Sequence, residues 1–122
     1  SNAADDISDR ITTRIEIIQV GATDTTVDAW VKNIGSSRIL GISNSDIFFG
    51  PEGNMSRISY GDEESPLPYW SYELEGSYTT WELTATNAIT IHLASSLDAG
   101  VYLFKMVLPN GISDETSFSV EE

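Results

Sequence analysis

Apolar and polar residues alternate with a period of two through most of this chain, the spacing of strands that bury one face. The clearest case is TTVDAWVKN (25–33), where Val27, Ala29 and Val31 share one face and Asp28, Trp30 and Lys32 the other. Trp30 thereby falls on the nominally polar side. In RIEIIQV (14–20), Ile15 and Ile17 alternate with Arg14 and Glu16, predicting a strand from Arg14. Ile7, Ile11, Ile15 and Ile18 also fit one helical stripe, so a helical or frayed lead-in is expected ahead of it. Asn33 and Gly35 in NIGSS end the second strand. SDIFFG (45–50) and SRISYG (56–61) predict two short strands around a Glu52-Gly53-Asn54 turn. TTWELT (79–84) and AITIHL (88–93) predict two more, with Ile89, Ile91 and Leu93 inward.

The segment from Asp62 to Tyr78 breaks this regularity with an acidic run, two prolines (Pro66, Pro68) and the aromatics Tyr69, Trp70 and Tyr72. It reads as a long surface loop. Loops of that length usually have a task, and exposed aromatics are typical interface anchors, so Tyr69, Trp70 and Tyr72 are candidate contact residues. GVYLFKMVL (100–108) and ETSFSV (115–120) close the chain as a hairpin over Pro109-Asn110-Gly111. About eight strands at sandwich spacing, without an internal repeat, predict an all-β antiparallel sandwich.

Within that hairpin, Asp98-x-Gly100-x-Tyr102 has the spacing that opens a central strand of an immunoglobulin-like sandwich. Tyr102 is expected to turn its hydroxyl onto the preceding corner while Gly100 permits a close approach, and Phe104 occupies the position of the usual half-cystine. Tyr102, Phe104, Met106 and Leu108 form one row of this strand. Val101, Leu103 and Val107 form the other, interrupted only by Lys105. The outer face of a two-layer sandwich is normally wet, so Val101, Leu103 and Val107 are a candidate assembly patch.

One domain fits 122 residues. The division expected is a tag scar at Ser1-Asn2-Ala3, a helix or linker remnant over 4–13 and the sandwich over 14–122. A formal charge of -13, from 19 acidic and 6 basic residues, repels nucleic-acid phosphates and anionic lipid. With no cysteine there is no disulfide, thiol nucleophile or Cys-type metal site. No apolar run approaches the roughly 18 residues that span a bilayer.

Chemistry-bearing residues are few. The single histidine, His92, shares the outward face with Thr90, and Ser95 and Ser96 read as turn residues, so no triad is expected. Asp62-Glu63-Glu64 offers the oxygen ligands that calcium takes but lacks EF-hand spacing, and reads as a solvated acidic loop. No catalytic residue, metal or cofactor is expected. Asn54-Met55-Ser56 is an N-glycosylation sequon in a turn, which makes Asn54 a possible modification site in an exported protein.

Taken together, TRIEIIQV (13–20), AWVKNIGSSRI (29–39), SDIFFGPEG (45–53) and VLPNGISDETSFSV (107–120) resemble the soluble domains of the archaellum stator proteins, the G and F components of the archaeal swimming motor. The order is that family's: a strand ending in an Asn-x-Gly turn, a short DIFFG-like strand and a closing Pro-Asn-Gly hairpin. The resemblance implies a non-enzymatic cell-surface domain, outside the cytoplasmic membrane, with a pilin-like N-terminal helix upstream as its anchor. It implies protein partners: further copies, a paired stator component and a surface-layer protein. VKNIGSS and DIFFGPEG lean toward the G component. The alternatives are a pilin- or archaellin-like filament subunit and a carbohydrate-binding surface domain in which Tyr69 and Trp70 stack on sugars.

Overall fold

Residues 10–77 and 79–122 are described by a computed structural model. Its strands are β1 (Ile15–Thr23), β2 (Thr26–Asn33), β3 (Asp46–Pro51), β4 (Ser56–Tyr60), β5 (Tyr69–Leu74), β6 (Thr86–His92), β7 (Gly100–Val107) and β8 (Ser113–Val120). Neighbours run β1-β2-β6-β5-β4-β3-β7-β8. Every pair is antiparallel except β4 with β5, which meet in parallel over only Ser59–Tyr69 and Tyr60–Trp70. That short seam divides the strands into two layers, β1-β2-β6-β5 and β4-β3-β7-β8, the immunoglobulin arrangement with one added strand. The outer strands return to each other, and Asp114 of β8 accepts a hydrogen bond at 2.8 Å from the Ile17 nitrogen of β1.

The alternating rows build the core between these layers. Val27, Ala29 and Val31 of β2 meet Ile89 and Ile91 of β6 from one side, while Ile47, Phe49, Phe104 and Met106 close it from the other. Each is buried, and burying such side chains is the main favourable contribution to folding, about 1.5–3 kcal/mol for each large one. Phe104 has no exposed surface and fills its core position with a ring.

VKNIGSS works as a latch. The buried Asn33 side chain donates to the carbonyls of Ser37 (3.0 Å) and Trp81 (3.2 Å) and accepts from the Gly35 nitrogen (3.1 Å). Gly35 then runs so close to the segment leading into β1 that a Cβ there would strike the Thr12 carbonyl and lie 2.7 Å from the Arg14 nitrogen. The nitrogens of Ile34 and Ser36 bond to the carbonyls of Arg14 and Thr12 in the same place. Gly is required by contact with backbone, which cannot yield.

Two expectations are corrected. The 62–78 segment is not one long loop, because Tyr69–Leu74 forms β5 between β4 and β6. TTWELT is not a strand: only Trp81 pairs, in an isolated bridge with Ile39, and Thr84 takes a positive φ of 66° that ends any extended run. Of the two readings of the first segment, the strand holds: β1 begins at Ile15 and contains Ile18, with a helical turn over residues 10–12 ahead of it. Ile7 and Ser1-Asn2-Ala3 lie outside the described residues.

Candidate functional site

The outer face of the β4-β3-β7-β8 layer is set by the register of β7. Because Tyr102, Phe104 and Met106 are buried inward, Val101, Leu103, Lys105 and Val107 must point out. Leu103 stands between Gly50 and Ser117, and Val107 between Asp46 and Ser113. Glycine and serine cover little, so the leucine stays half-buried and Val101 is 44% exposed. Gly50 has its own constraint: a Cβ there would sit 2.5 Å from the Asn54 carbonyl oxygen. The same approach that folds the β3–β4 turn therefore leaves Leu103 uncovered. Phe48, facing Lys105 and Arg57, joins this apolar strip. Arg57 pairs with Asp46 at 2.8 Å, and Lys105 lies opposite Glu115, so the charges at the strip are opposed by register.

The aromatic group lies elsewhere than the loop reading placed it. Trp70 points into the core with no exposed surface. Tyr69 points outward but is buried by stacking on His92, ring centroids 4.3 Å apart, while the His92 Nε2 and Ser71 hydroxyl lie within hydrogen-bond distance at 2.9 Å. Neither is free to meet a partner or a sugar, and His92 is held from both sides. Tyr72 is half-buried at the open edge between the layers, 6.1 Å from Tyr60. Burial, and then the neighbouring Tyr60, raise its phenol above the ordinary 10.0. Tyr60 is the exposed ring of this group at 47%, packed edge-on to Trp70 at 4.8 Å. Sequence reasoning passed over Tyr60. The signal was its phase with Ile58, which carries the inward row of β4 past the end of the core.

The remaining residues have local tasks. The Tyr102 hydroxyl donates to the Asp98 carbonyl at 2.8 Å, tying β7 to the corner before it, and Gly100 opens that strand. A φ of 155°, in place of the close approach expected, is what calls for glycine there, since a Cβ would meet only the Tyr102 ring at 4.0 Å. Asp62 caps its own turn, its carboxylate accepting from the Glu64 nitrogen at 2.9 Å. Asn54 is exposed in the β3–β4 turn, and its nitrogen bonds to the Pro51 carbonyl at 2.8 Å. Among the described residues no cluster of three or more His, Asp or Glu side chains is placed to hold a metal ion.

No protein-family model matches the sequence, and no curated relative aligns with it. Solved structures do match. The archaellum periplasmic stator protein FlaG from Sulfolobus acidocaldarius is 28% identical, with a TM-score of 0.78 over 87% of this chain and 99% of that one. A chain of the FlaF–FlaG stator complex from the same organism is also 28% identical, with a TM-score of 0.75 over 87% of this chain and 89% of that one. The resemblance to archaellum stator domains carried by the Asn-x-Gly turn, the DIFFG strand and the closing hairpin thus extends to the folded domain as a whole.

Proposed function

We propose that this domain is a structural, non-enzymatic stator component of the archaellum, of the G type, displayed at the cell surface and held there by an N-terminal helix upstream. Its task is to bind other protein domains and to give a rotating filament a static support. The similarity to FlaG over nearly all of that chain supports the stator reading, and the FlaF–FlaG complex supports a paired stator protein as partner. The observation that carries the mechanism is the outer row of β7: Val101, Leu103 and Val107, interrupted by Lys105 and bordered by Gly50, serines and Asp46, form a mainly apolar strip on a strongly acidic molecule. Hydrophobic contact at a low-charge centre is what holds such interfaces together.

Sedimentation of the domain across a concentration series, alone and with a paired stator domain, tests this. Association is expected, and Leu103→Glu should weaken it by about tenfold or more, the scale set when a charge replaces an apolar contact at an interface centre. A monomer that stays monomeric, binds no stator domain and is indifferent to Leu103→Glu removes the proposal.

A further inference from the structure

The opposite layer carries a second, chemically different surface. In the cross-strand row Gln19–Trp30–Ala88–Glu73, all four residues lie on the outer face. Ala88 offers only a methyl group, so Trp30 and Glu73 rise on either side of it as the walls of a groove of 590 Å³. Trp30 is 37% exposed. Ile18 borders the same groove because β1 is bulged there: Ile17 pairs with Val31 and Gln19 with Trp30, leaving Ile18 as the extra residue, 51% exposed. A hydrophobic side chain and a tryptophan are thus turned to solvent by register and bulge, with no part in the core.

The polar border of this groove is acidic. Glu73 and Glu75 both line it, and one Glu75 oxygen accepts from the Thr86 nitrogen at 2.7 Å, which fixes its position. A second groove of 610 Å³ shares Glu75 and adds Glu82, so the acidic border continues past the first. Lys32 lies one row away, opposite Glu16 and Thr86. We infer that this groove docks a basic peptide segment of a partner protein, one arginine or lysine lying over the Trp30 indole with its head toward Glu73 and Glu75.

The chemistry selects that occupant. An indole face attracts a cation, and the aliphatic stem of arginine or lysine fits beside Ile18 and Ala88. Ionised carboxylates accept hydrogen bonds from ammonium and guanidinium groups and also pair with their charge, whereas the hydroxyls of a neutral sugar can donate to them but bring no charge. Among the described residues the carboxylates form no cluster able to hold a metal ion, and their spread along two grooves suits an extended chain. The net charge of -13 adds attraction for a basic segment at long range.

The test is calorimetric titration with the peptide acetyl-Leu-Arg-Leu-Lys-amide, a counterpart carrying Glu for Arg and Lys, and a neutral oligosaccharide. Saturable binding of the basic peptide alone is expected. Trp30→Ala and the double variant Glu73→Gln/Glu75→Gln should each weaken it by about fivefold, the scale of one exposed cation–π contact or ion pair. Thermal melts check that the variants remain folded. Trp70 and Trp81 are fully buried, so a change in wild-type tryptophan fluorescence on binding reports Trp30. Absence of saturable binding, binding at wild-type strength by both variants, or saturation by the oligosaccharide in place of the peptide overturns the inference. Leu103→Glu lies on the other layer and should bind the peptide as the wild type does, so this result and that for the stator contact are separable.

Discussion

Tyr102 joins a hydrogen bond to a packed ring. Its hydroxyl reaches the Asp98 carbonyl at 2.8 Å, while the ring stacks on Phe49 at 5.6 Å and near Phe118 at 6.0 Å. Tyr102→Phe keeps the rings and removes only the hydroxyl. It is expected to lower stability by about 1 kcal/mol, the usual net worth of one such bond, read as a lower urea midpoint with an unchanged slope. An unchanged midpoint would show that solvent serves the Asp98 carbonyl equally well. This residue was legible in the sequence because a corner imposes a fixed spacing, Asp-x-Gly-x-Tyr, over five consecutive positions. Asn33 was legible only as a turn former. That its amide serves Ser37, Trp81 and Gly35 at once depends on which segments pass nearby, and no local spacing records that.

At the scale of elements, about eight strands were expected and eight are present among the described residues, but one was misplaced. β5 does alternate, Trp70, Tyr72 and Leu74 inward against Tyr69, Ser71 and Glu73, yet the outward tyrosine hid the pattern and the flanking prolines suggested a loop. Tyr69 is apolar on the outer face because His92 stacks against it from β6, a partner 23 positions away in sequence. TTWELT alternates equally well on paper. It fails as a strand because Trp81 is anchored by its indole nitrogen to the Ala85 carbonyl at 2.9 Å, drawing the chain into a turn through Thr84. The two readings of Trp70 have different costs on truncation. As a core residue with no exposed surface, Trp70→Ala should destabilise the fold by about 3–5 kcal/mol, whereas Leu67→Ala, on the exposed stretch before β5, should stay within about 0.5 kcal/mol. Chemical denaturation of the two variants decides it, and a near-neutral Trp70→Ala would return that tryptophan to the surface. The outward row of β7 was legible as a pattern, but its openness was not, since that depends on Gly50 and Ser117 standing beside Leu103.

For the molecule as a whole, the two surfaces lie on opposite layers and differ in how they should answer to salt. The Leu103 strip is mainly apolar, with Lys105 in its row and opposed charges beside it, and two copies that meet there bring two charges of -13 together. Repulsion between copies opposes that contact at low ionic strength, and salt relieves it as the Debye length shortens from about 14 Å at about 0.05 M to about 4 Å at about 0.5 M. Self-association through Leu103 should therefore strengthen severalfold over that range. Docking of a basic segment at Trp30 depends on attraction between unlike charges and should weaken over the same range, by about tenfold for a peptide with two cationic side chains. Sedimentation and calorimetry in paired buffers measure both. Opposite signs are expected, and they assign each contact to its own physics. If both weaken together, charge rather than apolar burial holds the β7 contact, and the Arg57–Asp46 pair together with Lys105 and the Glu115 opposite it then become its determinants in place of Leu103.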